Sequence, residues 1–365
     1  MQLGLAPTEH YQSQLNTKVA QTQTQFAHLF DGELEVFSSP PKHFRMRAEF
    51  KIWHDKTTGL AQYAMHLPGE RNKPIVIESF DIGSETITRL MPLLLQNINS
   101  SENLRKKLFQ VEFLTSTTGE AVLSLIYHRP LDDAWQQLAE QLASYLGCNI
   151  IGRSRKQKRT VGNDFVTECL LVQGRQTFYQ QVETGFTQPN AAVCVAMLEW
   201  ACKKIEGIGK DLLELYCGNG NFTIPLSKHF RQVLATEVSK NSVKSAQTNI
   251  AQNQVENITI ARLSSEEFTQ AINGVREFRR LKDIDLHSYD FSTIFVDPPR
   301  AGLDKGTISL AARFDTIIYI SCNPTTLLNN LEALVDTHTI EHLALFDQFP
   351  YTEHRECGVV LKKRN

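Results

Sequence analysis

From about residue 185 onward the sequence alternates short apolar runs of strand length with stretches of helix length. The strand-like runs are Asp211–Tyr216, Gln232–Glu237, Asn257–Leu263, Thr293–Asp297, Thr316–Ser321, Leu343–Phe346 and Gly358–Leu361, with helices such as Ser239–Asn253 and Pro324–Val335 between them. Runs that apolar must be buried on both faces, which a doubly wound sheet with helices on either side achieves. The first half is built differently. Residues 9–30 predict an amphipathic helix with Tyr11, Leu15, Val19, Phe26 and Phe30 on one face, and Pro40-Pro41 then breaks the chain. From Phe44 apolar and polar residues alternate, with Phe44, Met46, Ala48, Phe50 and Ile52 facing one way and Arg45, Arg47, Glu49, Lys51 and Trp53 the other. That is a half-buried strand with cations and a ring on its open face. Strands at Lys73–Ser79, Leu108–Thr115 and Ala121–Tyr127 and helices at Ser84–Asn97 and Leu131–Tyr145 complete an α+β domain on an antiparallel sheet. The expected division is therefore an opening helical segment (1–40), an α+β domain (41–180) and a C-terminal doubly wound α/β domain (181–365).

A chain of 365 residues with 41% hydrophobic content can bury two cores, and no low-complexity tract interrupts it. No apolar run approaches the roughly 20 residues of a membrane span, so no membrane partner and a cytoplasmic location are expected. The seven cysteines are scattered singly without a CxxC pair, which indicates neither a disulfide framework nor a zinc or iron–sulfur site. A net charge of −2 argues against binding nucleic acid by bulk attraction. The distribution matters more: Arg153, Arg155, Lys156, Lys158 and Arg159 crowd seven positions, and Arg276, Arg279, Arg280 and Lys282 lie on the long connection before Phe291. Charge runs are ordinarily solvated loops. The chemistry below favours contact with a polyanion instead.

In a doubly wound sheet ligands sit beyond the carboxyl ends of the strands, at the switch point beside the first strand. Cys217-Gly218-Asn219-Gly220-Asn221-Phe222 follows that strand, and its glycines permit φ > 0 and close backbone approach. A dinucleotide fold wants a third glycine, which Phe222-Thr223 do not supply. Glu237 ends the next strand, where a carboxylate accepts both hydroxyls of a ribose. S-adenosylmethionine (SAM) has that ribose and no pyrophosphate, so it suits the loop better than NAD.

Asp297-Pro298-Pro299-Arg300 ends the fourth strand, a rigid turn suited to facing a planar base. Cys322 ends the fifth. Asn323 then reads as a helix N-cap and Pro324 as the first helical residue. A thiol at a helix N-terminus is expected to have its pKa lowered. The other cysteines read as small buried apolar residues. Uracil C5 is too weak a nucleophile to take a methyl group unaided. Thiolate addition to C6 makes C5 carbanion-like, after which a base must remove the C5 hydrogen. Cys322 is the candidate nucleophile and Glu356, in His354-Arg355-Glu356-Cys357-Gly358, the candidate base; His354 competes for the second role.

Five segments in order carry a resemblance: Phe186-Thr187-Gln188-Pro189-Asn190, the Leu215–Phe222 loop, Asp297–Arg300, Ser321-Cys322-Asn323-Pro324 and His354–Gly358. Together they resemble the RNA uracil-5-methyltransferase family, over nearly the whole chain. The resemblance implies SAM contacts from Gln188, Tyr216, Asn221, Glu237 and Asp297, with Gly218 and Gly220 shaping the loop. It implies Cys322 as nucleophile and Glu356 as proton acceptor, and an opening helix docked on the catalytic domain. Ribosomal-RNA members usually add a barrel and four cluster-binding cysteines. Their absence favours the tRNA branch, with the T-loop uridine at position 54 as target and transfer-messenger RNA (tmRNA) as a second substrate. No obligate protein partner is evident.

A T-loop uridine is stacked inside a folded loop and must be flipped out to be methylated, at a cost of a few kcal/mol. Aromatic side chains and cations are expected to offset it. The candidates for RNA contact are Arg45, Arg47, Lys51 and Trp53, then Phe109 after Arg105-Lys106-Lys107, the Arg153, Arg155 and Lys156 cluster, and Arg300, which is also a candidate to stabilise the enolate. The rival readings are a ribosomal-RNA uracil methyltransferase, a cytosine-5 methyltransferase and a non-catalytic RNA-binding or remodelling protein.

Overall fold

The computed structural model describes residues 4–66 and 74–364, and the chain falls into two compact units. One comprises residues up to Glu9, Pro40–Cys169 and Gln180–Ala191; the other comprises His10–Ser39, Leu170–Tyr179 and Ala192 onward. Among the described residues no helix is long and apolar enough to cross a membrane.

The first unit is a seven-stranded sheet in the order Ile75–Val76, Ala61–Met65, Arg47–His54, Leu108–Thr115, Ala121–Tyr127, Asn149–Ser154, Gln157–Val161. Its neighbours are antiparallel except Ala121–Tyr127 and Asn149–Ser154, which run parallel because helix Asp133–Leu146 crosses between them. The predicted alternation holds over Arg47–His54: Ala48, Phe50 and Ile52 are buried, and Glu49, Lys51 and Trp53 are exposed. Helices Glu85–Ser100 and Asp133–Leu146 cover the inner face with Ile87, Leu90, Leu94 and Trp135. Ser84 and Asp132 cap them by accepting from the Ile87 and Trp135 amides. The strand predicted at Lys73–Ser79 is only Ile75–Val76, and Lys73 lies outside the described residues. The basic run 153–159 is not a loop but a hairpin: Ser154 pairs with Gln157, and Arg155-Lys156 form its turn. Phe165–Val172 and Arg175–Val182 form a separate two-stranded sheet.

The second unit holds the doubly wound sheet. Its strands are β1 (Leu34–Phe37), β2 (Asp211–Leu215), β3 (Gln232–Thr236), β4 (Ile258–Ala261), β5 (Phe291–Val296), β6 (Thr316–Ser321), β7 (His338–Phe346) and β8 (Glu356–Lys363). Their order is β1-β7-β8-β6-β5-β2-β3-β4. β2 pairs in parallel with both β3 and β5, so the strand order reverses at β2, the switch point where such sheets bind ligands. β2 and β6 have no exposed residue, as strands covered on both faces must be. β1, which sequence periodicity does not reveal in so short a run, adds a parallel edge to β7, and Glu35 on it accepts from Trp200 Nε1 at 3.1 Å.

β8 runs against the rest of the sheet. It lies between β6 and β7, antiparallel to both, with Ser321 opposite Cys357 and Phe346 opposite Glu356. An antiparallel strand begins at the edge where its parallel neighbours end, so the first residue of β8, Glu356, emerges beside the last of β6. Gly358 has a packing reason to be glycine. A Cβ there would lie 2.9 Å from both Phe346 Cε2 and Trp200 Cζ3.

Helix α1 (Tyr11–Phe26) belongs to this unit, and its buried face is not the purely apolar one predicted. Leu15 and Phe26 are buried, but so are Lys18 and Thr22, because Lys18 meets Asp347 at 2.8 Å with both side chains out of solvent. An unpaired lysine cannot be buried at that cost; a paired one can.

Gly358→Ala should overpack the Trp200–Phe346 contact and destabilise the protein by about 1–3 kcal/mol. Urea unfolding would show a lower midpoint, and an unchanged midpoint would mean the rings are not fixed against the strand.

Candidate active site

The loop after β2 turns sharply. Tyr216 has φ +63°, Gly218 +56° and Gly220 +85°. For Gly218 no atom lies within 4 Å of where a Cβ would sit, so its backbone angle rather than space demands glycine. Tyr216 is the costlier residue there, since a ring-bearing residue rarely adopts φ > 0. Its hydroxyl donates to Ser265 Oγ at 2.6 Å, which holds it. Glu237 ties the turn to the next strand, accepting from the Gly218 amide at 3.1 Å and the Ser239 amide at 2.7 Å. The Asn221 carbonyl accepts from the Tyr179 hydroxyl at 2.8 Å, and its amide nitrogen lies 3.5 Å from Cys194 Sγ. Tyr216, Gly218, Gly220, Asn221 and Glu237 are thus gathered at the carboxyl end of β2 and β3. Gln188 lies in the first unit, half-buried, next to Pro189, whose carbonyl accepts from the Met46 amide at 2.7 Å.

Asp297, Cys322 and Glu356 follow or begin β5, β6 and β8 at that same edge. Asn323 caps the helix Pro324–Leu334 as predicted, its Oδ1 accepting from the Thr325 amide at 3.2 Å. Its amide nitrogen and the Thr326 hydroxyl donate to the Arg300 carbonyl at 3.0 and 3.1 Å. The Asp-Pro-Pro-Arg turn and the cysteine turn are therefore one braced assembly. The Arg300 side chain is exposed, as is His354, which rests its ring edge on Phe349 and does not join Glu356.

The electrostatics correct one expectation. Cys322 is not shifted toward thiolate by its helix. Burial first, then the charges of Glu356 and Asp297, push the thiol up to about 11, with Arg300 pulling it down. The cap is satisfied by Asn323, and two nearby carboxylates outweigh the fractional charge of a helix end. Burial and then Asp297 hold Glu356 well above the carboxylate range. Asp297 keeps part of its surface open, yet burial raises it to about 7. Glu214, on β2, was not predicted. It is 1% exposed, and its Oε2 has no hydrogen-bond partner. Burial and then the charge of Asp297, against the pull of Thr223, leave Glu214 at about 8. A carboxylate amid the apolar run of β2 was the sequence signal that could have found it.

The RNA candidates are not all open. Arg45 Nε donates to the Arg47 carbonyl at 2.9 Å, and Arg47 donates to the Glu183 and Gly185 carbonyls at 2.9 Å each. Burial lowers the pKa of both. Arg153 is bound by the buried Glu183, Lys158 by Asp164 and Arg159 by Asp133. Arg155 and Lys156 are exposed at the surface of the first unit, whereas Lys51, also exposed, donates to Gln110 Oε1 and lies 3.9 Å from Glu49. Phe109, half-buried, stacks on His128 with ring centroids 3.8 Å apart and 13° between planes, and Lys51 lies 5.6 Å from its centre. His128 is a partner that strand periodicity does not reveal.

Glu214 makes the pH dependence of folding testable. Its folded-state pKa is raised, so the stability it contributes is complete below its unfolded value of 4.5 and is lost as pH rises to about 8. The loss is on the order of 5 kcal/mol at about 1.4 kcal/mol per unit. Glu214→Gln should flatten the fall in melting temperature between pH 5 and 8, measured without cofactor; identical slopes in the two proteins would contradict the assignment.

Comparison with known proteins agrees with this geometry. The model of the family described as tRNA (Uracil-5-)-methyltransferase matches residues 10–364. A protein named tRNA/tmRNA (uracil-C(5))-methyltransferase from Teredinibacter turnerae is 64% identical over 364 residues, covering 100% of each chain. One of the same name from Saccharophagus degradans is 61% identical, covering 99% of each. Among solved structures, the Pyrococcus abyssi tRNA (uracil-54, C5)-methyltransferase in complex with S-adenosyl-L-homocysteine superposes with a TM-score of 0.71 at 21% identity, over 96% of this chain and 83% of that one. That likeness is one of fold. The family model over residues 10–364 and these relatives place the chain in the tRNA (uracil-5-)-methyltransferase family.

Proposed function

We infer that this chain is a SAM-dependent enzyme that methylates C5 of uridine in tRNA, at the T-loop uridine of position 54, with tmRNA as a second substrate. The observation that carries the residue assignment is the register of β8, which begins Glu356 beside the end of β6 and hence beside Cys322. The site suits SAM on its own chemistry. Glu214, Asp297 and Glu356 are carboxyl groups raised by burial, and Glu214 Oε2 has no partner. A ligand with a sulfonium and an ammonium supplies positive charge to such a set, while its ribose suits Glu237. Tyr216, Gly218, Gly220, Asn221, Glu237 and Asp297 would hold it, and Gln188 joins them on the family resemblance. When bound, SAM supplies the electrophilic methyl group.

The protein's own residues do the rest. The Cys322 thiol gives its proton to solvent, Sγ adds as thiolate to uracil C6, and the electrons of the C5–C6 bond move into an enolate that makes C5 nucleophilic. Arg300, whose charge already favours the thiolate, lies on the turn braced to Cys322. Once C5 carries both methyl and hydrogen, Glu356, having first lost its own proton to solvent, takes the C5 proton. The C5–C6 double bond then re-forms and the C6–S bond breaks, freeing the thiolate. Glu356 suits this work because its raised pKa makes it a far stronger base than an exposed carboxylate. In the first unit, Arg155 and Lys156 offer open cations, and Phe109, with Lys51 beside it, the ring that RNA contact requires; Arg45, Arg47 and Arg153 would act by shaping that surface. A tRNA substrate goes with a cytoplasmic location.

Cys322→Ala should abolish turnover with SAM binding retained; turnover within tenfold of the parent would remove Cys322 from the nucleophile's role. Glu356→Gln should transfer the methyl group and then stall, leaving an RNA–protein adduct that survives denaturing electrophoresis. Release of methylated RNA at the parent rate would show that another group takes the proton.

A further inference from the structure

We propose that helix α1 is a positioning element for the proton acceptor, acting through Lys18 and Arg355 on the loop that delivers Glu356 to the reaction edge. The proposal rests on Glu356 being the base. Residues 347–355 join β7 to β8, and their two ends lie beside the paired residues Phe346 and Glu356. Asp347 follows Phe346 in the chain, and Arg355 precedes Glu356.

Helix α1 grips both ends. Lys18 Nζ donates to Asp347 Oδ1 and to the Phe349 carbonyl, each at 2.8 Å, and Gln14 Nε2 donates to Asp347 Oδ2 at 3.0 Å. At the other end Arg355 donates to Thr22 Oγ1 at 3.1 Å and to Gln25 Oε1 at 2.7 Å. Tyr11 packs edge-on against Tyr351, which the loop holds at φ +62°. Tyr11, Gln14, Lys18, Thr22 and Gln25 form one stripe at helical spacing. The stripe is polar and partly buried, unlike the face of a helix whose purpose is to cover a core. Lys18 is 3% exposed and Asp347 1%.

A base that removes a proton from carbon must be aimed. Its own carboxyl shows no hydrogen bond to orient it among the described contacts, so its direction depends on the backbone that carries it. Two anchors on one rigid helix fix that backbone at both strand ends. Addition of Cys322 and methyl transfer precede proton removal and do not need Glu356 aimed at C5. Loosening the loop should therefore slow release and spare transfer. A displacement of about 1 Å can cost a hundredfold in rate.

The test uses the full chain, unmodified tRNA transcript and methyl-labelled SAM, in single turnover. Lys18→Met and Arg355→Gln are compared with the parent and with Glu356→Gln. Both are expected to transfer the methyl group at near the parent rate, to release product roughly tenfold or more slowly, and to accumulate the denaturant-stable adduct. Adding Lys18→Met to Glu356→Gln should slow release no further. If Lys18→Met does not fold, Arg355→Gln, at the partly exposed anchor, decides. Release at the parent rate while Glu356→Gln stalls overturns the positioning role alone; normal release from Glu356→Gln overturns the base and the positioning role together. Equal losses of transfer and release overturn it too, since they mark a general structural defect.

Discussion

The reversal of one strand is what the rest of this site depends on. Had β8 run parallel to β6, its first residue would have emerged at the far edge of the sheet, a strand length from Cys322. Inserted antiparallel between β6 and β7, it starts where they end, and one register pair, Ser321 with Cys357, sets the spacing of thiol and carboxylate. Sheet registers tolerate no slip by a single residue, because that would turn every side chain to the opposite face. Gly358 fits the same scheme: the strand passes so close to Trp200 and Phe346 that a side chain there would force the rings to shift.

A second consequence is electrostatic. Bringing strand ends together at a buried edge concentrates Asp297, Glu356 and Glu214 where water cannot separate them, and each is raised above the ordinary carboxylate range. Cys322 is raised with them. The resting site is therefore one that favours proton-bearing groups and welcomes positive charge. This is costly for folding and useful for chemistry, since the group that must pull a proton from carbon has to be a strong base. In the proposed reaction the charge that favours the Cys322 thiolate is that of Arg300, rather than the end of its helix.

The α/β half was legible because its strands are continuous apolar runs whose ends carry the chemistry-bearing residues. Thr316–Ser321 is a strand in both the sequence prediction and the structure, and Asn323-Pro324 reads directly as a helix start. What the sequence concealed was long-range. Leu34–Phe37 is too short for its periodicity to betray a sheet partner more than 300 residues away. Nothing local marks Lys18 for burial, because its partner, Asp347, is equally distant in sequence. The cations at 153–159 looked free for the same reason, since Glu183 and Asp133 lie outside any local window. The thiol's raised pKa was missed because local cap chemistry pointed one way and two carboxylates from other strands pointed the other.

The central claim is that this edge directs a methyl group to C5 of one class of uridine. The most direct measurement is to incubate the protein with labelled SAM and a mixture of unmodified tRNA and ribosomal RNA, then map the modified nucleoside by mass spectrometry. The account predicts 5-methyluridine confined to the T-loop of tRNA. Label on a cytosine, on another atom of uracil, in ribosomal RNA alone or in neither RNA would contradict it.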